Sequence, residues 1–321
     1  MGDPASATAA LVAWNFGSWR TIDLHLRIDI TSYLDKRELA WDHIQERYVE
    51  SRTGGRYADS RGMKGDVIVT RTEQYTDGSK AATVNFRPKD AELQRSVIIK
   101  REYSDEDKFG KSASPAPIQF FSVGRTPLQE ALPKSTDLGT DRVNGRECRT
   151  FLFPNVDYTT VRQDLVYYLD AATGTPIKVV SYLDEAHRAK NLPGWSWIAD
   201  DLKTTQNHEI PAASTMTTYA ADGKSPSMIH KFTVESVKYD QEFPTTTFWP
   251  VIQPGVPILD ALTKKSYNHP GVMQPDPAST VAKESLVATP PRDWSSTTSA
   301  VTLGLGLAVL LAGGLLWWRR R

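Results

Sequence analysis

Residues 19–31 read WRTIDLHLRIDIT, and this stretch decides the fold. Ile22, Leu24, Leu26, Ile28 and Ile30 are apolar, and Asp23, His25, Arg27 and Asp29 alternate with them. A period of two with one wet face is the mark of an antiparallel strand lying on a core. A helix would scatter the same residues around its axis. The apolar set must therefore face something apolar, either packed side chains or a ligand.

Similar runs extend outward from this strand. Ala5 to Asn15 is alanine-rich and predicts a short helix ended by Gly17. Trp41–Ser51 and Arg56–Arg61 flank a Gly54-Gly55 turn. Asp66–Tyr75 and Lys80–Arg87 flank Thr76-Asp77-Gly78-Ser79, and Asp-Gly between β-prone runs signals a hairpin. Leu93–Tyr103 predicts another strand, and Asp105-Glu106-Asp107-Lys108 opens a polar loop running to Pro117. Thr126–Leu132 predicts a short helix with Pro127 near its first turn. The second half adds Arg146–Phe153 after an Asn144-Gly145 turn, then the pairs Val161–Leu169 with Pro176–Leu183 and Ser214–Ala220 with Ser227–Tyr239.

Nearly every connection reads as a hairpin. The expected class is mainly β (α+β): one curved antiparallel sheet, a half-barrel, with one or two helices on its concave face. A single C-terminal transmembrane helix completes the expectation.

That helix is Ala300–Trp318, AVTLGLGLAVLLAGGLLWW, which carries no charge. Nineteen helical residues span about 28 Å, close to the roughly 30 Å hydrocarbon core of a bilayer. A buried core helix usually carries a polar stripe, and here only Thr302 is polar. Trp317 and Trp318 fall where an interfacial aromatic belt lies, and Arg319, Arg320 and Arg321 follow. The positive-inside rule puts the arginines in the cytoplasm and the preceding body outside it, on the periplasmic side.

The start MGDPASATAALVAWNFG lacks the basic and apolar regions of a signal peptide. Either the true start lies upstream or a signal has been lost. The competing topology is a tail anchor with the body in the cytoplasm. A sorting tag is a minor option, because no Leu-Pro-x-Thr-Gly motif precedes the helix. Ala300, Gly304, Ala308 and Ala312 form a small-residue stripe. It reads either as a homodimer seam or as ordinary membrane-helix composition.

Residues 266–299 form a Pro/Ser/Thr-rich stretch, with five prolines between Asn268 and Ser299. It reads as a spacer with a reach of roughly 30 Å. The expected division is a body over 1–265, the spacer over 266–299, the helix over 300–318 and a basic tail over 319–321.

Acidic and basic side chains balance at 38 each, so no strong field gathers nucleic acid. The single cysteine, Cys148, forms no intrachain disulfide and reads as a small core residue. The six histidines make no HxxxH or HExxH pair, so no metal is expected. His208-Glu209 and Asp200-Asp201 are the closest titratable groupings, and both read as loop residues. No phosphate loop and no Gly-x-Ser-x-Gly elbow occur. No cofactor and no catalytic residue are expected.

Two aromatic groups stand out. Trp195 and Trp197 follow Pro193-Gly194 in an expected loop, and Phe248 and Trp249 follow the last expected strand. They read as rings at a cavity mouth or as core plugging the ends of the sheet.

The chain resembles the bacterial lipoprotein-carrier superfamily, the LolA and LolB type and the RseB-like periplasmic regulators. The resemblance rests on the N-terminal helix followed by the long strand at Trp19–Ile30. It rests also on NGRECRTFLF followed by DLVYYLDAATGTPIKVVSY, and on KFTVESVKYDQEFPTTTFWPVIQPGVPILD. It covers roughly residues 5–262. It implies a half-barrel around an apolar cavity that receives acyl chains in carriers, and a fold that senses lipoproteins or lipids and binds a membrane partner in regulators. A tethered chain fits a receptor, sensor or local ligand handler better than a shuttle.

The expected function is a membrane-anchored extracytoplasmic binder of an acyl chain, lipid or lipoprotein. Its expected cavity lining is Ile22, Leu24, Leu26, Ile28, Ile30, Trp195, Trp197, Phe248 and Trp249. The alternative is a non-enzymatic envelope sensor or protein-interaction module with a filled cavity.

Overall fold

A computed structural model describes residues 3–33, 41–52, 54–87, 90–101, 117–124, 126–158 and 161–269. Helix α1, Pro4–Gly17, starts where Asp3 caps it: its carboxylate accepts from the Ala5 and Ser6 amides at 3.2 and 3.3 Å. Proline at the first turn leaves no intrahelical donor wanting.

The first run of strands is β1 (Thr21–Ser32), β2 (His43–Ser51), β3 (Arg56–Lys64), β4 (Val67–Thr76), β5 (Lys80–Arg87) and β6 (Asp90–Arg101). A crossover follows, with a 3-10 turn at Ile118–Phe121 and the short pair β7 (Ser122–Val123) and β8 (Thr126–Pro127). Helix α2 (Leu128–Ala131) and a second 3-10 turn at Leu132–Lys134 complete it. The second run is β9 (Thr136–Val143), β10 (Arg146–Tyr158), β11 (Val161–Asp170), β12 (Pro176–Tyr182), β13 (Trp195–Thr205), β14 (His208–Tyr219) and β15 (Pro226–Tyr239). A short α3 (Glu185–Ala189) follows β12. The described chain ends with a 3-10 turn at Thr245–Phe248, β16 (Pro257–Asp260) and β17 (Lys265–Asn268).

Two antiparallel meanders make one large, curved, open sheet. Its order is β17-β16-β6-β5-β4-β3-β2-β1-β15-β14-β13-β12-β11-β10-β9. β1 sits at the seam: Ile22 lies opposite Tyr239, Leu24 opposite Val237 and Ile28 opposite Phe232 on β15. A bulge between His25 and Leu26 leaves Glu235 as the extra residue on β15. After β15 the chain runs back to the far edge, where β16 pairs parallel with β6, Ile258 opposite Val97.

The face on which α1 packs is the inner face. Ile22, Leu24, Leu26 and Ile28 lie there in one buried cluster with Val12 and Phe16 of α1, Phe120, Phe121, Leu128 and Leu132 of the crossover, and Trp195 and Trp197. On the outer face, Val84, Phe86 and Val97 are covered by Val256 and Ile258.

The mainly β class, the curved sheet and the predicted strand cores are as the sequence indicated, with four corrections. Trp195-Ser196-Trp197 is not a loop but the start of β13, where Trp195 and Trp197 turn inward at a period of two. Asp200-Asp201 and His208-Glu209 also sit on strands, β13 and β14. β9 forms where no strand was expected, because it is an edge strand exposed along its length up to Val143, which packs with Cys148 and Ile177. Ser227–Tyr239 is not the last strand, since β16 and β17 follow it. Among the described residues no helix is long and apolar enough to cross a membrane. The stretches 270–299 and Ala300–Arg321, and Asp105-Glu106-Asp107-Lys108, lie outside the described residues.

Candidate ligand-binding face

The inner face divides at β1. On the β9–β15 side it is apolar and filled. The Phe120 ring stacks on Trp197 at 4.3 Å, and Phe16 of α1 stacks on Phe121 at 3.8 Å. Arg52 lies 4.0 Å over the Trp19 ring, and its guanidinium also donates to the Phe16 carbonyl. Burial pushes that guanidinium below its usual value.

Asn15 fastens α1 to this half. Its amide nitrogen donates to Thr175 Oγ1 at 2.7 Å and to the Glu209 carbonyl at 3.1 Å, and its oxygen accepts from the Glu209 amide at 2.6 Å. The Thr173 and Thr175 hydroxyls both donate to Glu209 Oε2 at 2.8 Å. The Thr-Gly turn passes flush against the helix: a Cβ at Gly174, where φ is +74°, would lie 2.8 Å from the Val12 nitrogen.

On the β2–β6 side the inner face changes character. Next to the seam, Ile44, Tyr48 and Ala58 still belong to the apolar cluster, with Trp41 packed against it. Beyond them one cross-strand row is polar through five strands. Glu46 lies opposite Ser60, Ser60 opposite Thr72, Thr72 opposite Asn85 and Asn85 opposite Ser96. Ser60 Oγ donates to Glu46 Oε2 at 3.0 Å, and Asn85 Nδ2 donates to Ser96 Oγ at 3.3 Å. Asn85 Oδ1 is buried and accepts no hydrogen bond among the described residues. Burial pushes the Glu46 carboxyl up to about 7, with the Ser60 hydroxyl opposing and the nearby Asp59 charge adding to the shift. The parallel row Ala58, Gln74, Thr83, Ile98 is also largely polar and half-buried past Ala58.

The outer face of the same strands carries a lattice of charge. Asp59 accepts from Arg61 Nη2 at 2.6 Å and Arg71 Nε at 3.0 Å, and Arg71 Nη2 also donates to Glu73 at 2.6 Å. Arg47 holds Asp23 through Nε and Nη2 at 3.1 and 2.9 Å. Arg47, Arg61, Arg71, Tyr57, His25 and Glu235 surround a pocket of about 300 Å3 here.

The expected lining residues fall into two groups. Ile22, Leu24, Leu26, Ile28, Trp195 and Trp197 come together in one cluster, with Ile30 packed at its edge. Phe248 and Trp249 do not join it. Phe248 packs on the backbone of Gly55, where a Cβ would meet its ring at 2.5 Å, and faces Phe243 edge-on at 6.4 Å. Trp249 is half-buried beside it in sequence. Glu46, Ser60, Thr72, Asn85 and Ser96 escaped sequence reading, because only strand register brings them into line.

No protein-family model matches the sequence, and no curated protein matches it. Solved structures do. A DUF1329 family protein from Desulfovibrio piger is 11% identical over 77% of this chain and 98% of its own, with a TM-score of 0.50. A domain named as a candidate outer membrane lipoprotein-sorting protein from Vibrio parahaemolyticus is 14% identical, covering 76% and 95%, at a TM-score of 0.47. A LolA superfamily protein from Nitrosomonas europaea is 9% identical, covering 78% and 99%, at 0.45. At these identities the likeness is one of fold alone, and the DUF1329 family structure, at a TM-score of 0.50, carries it.

Proposed function

We propose that this chain is an extracytoplasmic binding protein for an acyl chain, a lipid or a lipoprotein. One observation carries the reading. The sheet is open, and its inner face passes without a break from a packed apolar core to a half-buried polar wall that no described helix covers. An acyl chain laid along the margin of the seam would meet Ile30 and Trp41, which are only partly buried against the core. Removing a chain of that kind from water contributes about 0.8 kcal/mol per methylene. The carrier-type fold supports the same reading.

In this proposal the body extends through β17, past the boundary expected at 265, and stands on a spacer that runs to residue 299. Ala300–Trp318 crosses the membrane, Arg319–Arg321 lie in the cytoplasm, and the Ala300, Gly304, Ala308, Ala312 stripe pairs two copies. The protein binds rather than catalyses. Glu46 and His230, a carboxyl and an imidazole that burial shifts strongly, stand in separate cross-strand rows on either side of the seam.

A second reading is favoured by the state of the apolar half. Ile22 and Leu24 are 0% exposed and Leu26 is 1% exposed, beneath rings that already stack on one another. A filled interior suits an envelope sensor whose loops and edges bind a membrane protein partner.

Native mass spectrometry of the full chain, extracted gently from a bacterial envelope, separates the two. A stoichiometric lipid or acylated peptide is the expected result. A bare mass that stays unchanged after incubation with lipid vesicles sinks lipid binding and leaves the interaction module.

A further inference from the structure

We infer that the polar row Glu46, Ser60, Thr72, Asn85, Ser96 receives the head of the bound lipid, and that this head is uncharged and rich in O–H or N–H donors. The inference rests on the lipid-binding reading and goes on to name the class of lipid.

The argument starts from what the row offers. Its five side chains are in register across β2 to β6, so they form one straight line on one face. None is cationic. One is a carboxyl, and one carries a buried acceptor, Asn85 Oδ1, with no donor among the described residues. A buried acceptor left unpaired is costly, and a ligand donor that reaches it recovers that cost. Two acceptors in one line with three hydroxyls call for a donor-rich partner.

Charge decides against the commoner head groups. A phosphate brought to this wall would meet the Glu46 carboxyl and the Asn85 oxygen, and the guanidinium on the same face of β3, Arg56, is already held by Glu50 at 3.4 Å. The arginines of these strands are committed elsewhere: Arg47, Arg61 and Arg71 project to the outer face and are held there by Asp23, Asp59 and Glu73. The row itself thus offers hydroxyls, an amide and a carboxyl but no cation, while the arginine lattice of these strands stands on the outer face. An ammonium head has only one carboxyl to meet, and the remaining hydroxyls add no charge to hold it.

Position fits as well. Glu46 lies directly opposite Leu26, the apolar seam residue. A ligand with its chain on the seam and its head toward β6 would put hydroxyls on the row and methylenes on the core. The same head chemistry occurs in glycosyl diacylglycerols and in uncharged acylated lipopeptides.

The test uses the full chain in detergent and three probes with identical acyl chains. They are a monoglycosyl diacylglycerol, a capped diacylglyceryl-cysteine peptide without charge, and phosphatidylglycerol. Native mass spectrometry in competition reads the ratio bound. One or both neutral probes should exceed phosphatidylglycerol by about tenfold, and which of them does so identifies the source of the head. Asn85→Leu should bring that ratio to within about twofold. Glu46→Gln keeps the shape and the Ser60 contact, and should raise the share of phosphatidylglycerol several-fold, so a folding failure of the first variant leaves a second reading of the same quantity. Equal binding of all three probes, or ratios that neither substitution moves, overturns the head-group inference and leaves lipid binding standing. Binding of no probe overturns both.

Discussion

The two halves of the inner face share one sheet and one curvature, yet they are built on opposite chemistry. From β9 to β15 the wall is aromatic and aliphatic, and α1 and the crossover fill the space against it. From β2 to β6 the wall turns to hydroxyls, amides and a carboxyl within two strands of the seam. Packing is therefore concentrated on one side, and the proposal places recognition on the other. Folded proteins place their adaptable surfaces where contacts are few, because rigid packing and ligand exchange compete for the same groups.

The largest test of this division is Trp197→Ala. Trp197 is 0% exposed and stacked on Phe120, so truncation should cost about 3–5 kcal/mol in chemical denaturation. A cost below about 1 kcal/mol would show that the apolar half is loosely packed and end the contrast.

Next come His230 and Glu46, one on each side of the seam, which respond to pH with opposite sign. Burial holds the His230 imidazole down to about 4. The stability linked to His230 is present above the ordinary histidine value near 6.5 and is lost as pH falls from there toward 4. Full loss amounts to about 3 kcal/mol. His230→Leu should flatten the unfolding free energy across that window, measured by urea titration at stepped pH.

Glu46 behaves in reverse. Its carboxyl is raised, so the linked stability is present below about 4.5 and is lost as pH rises through 7. Water reaches this half-buried group, so the loss should be nearer 2 kcal/mol than the full linkage value. Glu46→Gln should remove the slope, and an unchanged slope would place the carboxyl in open solvent. The smallest expected effect is Thr72→Val, mid-row and half-buried, which should shift stability by less than about 1 kcal/mol. A larger loss would mean that the row holds the sheet together and is not free for a ligand.

The same division governs how much could be read from the sequence. β1 was plain because one of its faces is wholly buried and the other wet, so alternation survives in the residue order. β9 was invisible for the opposite reason. Thr136–Val143 is exposed along nearly its whole length, with Gly139 at φ +95° and Asp137, Asp141 and Arg142 along it, which is how an edge is protected from pairing with another chain. β13 hid behind Pro193-Gly194: its inward Trp195, Trp197 and Ala199 are period two, but the strand then runs into Asp-Asp-Leu-Lys-Thr-Thr and loses its pattern. Phe248 and Trp249 were assigned to the cavity on aromatic character alone, and character does not say on which side a returning chain crosses. The polar row could not be read from the turns: counting back from Gly54-Gly55 sets Glu46 opposite Met63 and from Asp77-Gly78 sets Thr72 opposite Thr83, whereas the strands pair Glu46 with Ser60 and Thr72 with Asn85.

The seam between β1 and β15 has a consequence for synthesis. Ile22 emerges from the ribosome about 200 residues before its partner Tyr239. At about 5–20 residues per second that interval lasts roughly 10–40 s. Throughout it β1 has only β2 for a neighbour, and its stripe of isoleucine and leucine has no wall of β10–β15 behind it. The nascent chain is an adhesive half-sheet during that time, and a holding chaperone or an unfolded export route is the safe way to carry it until the second meander arrives.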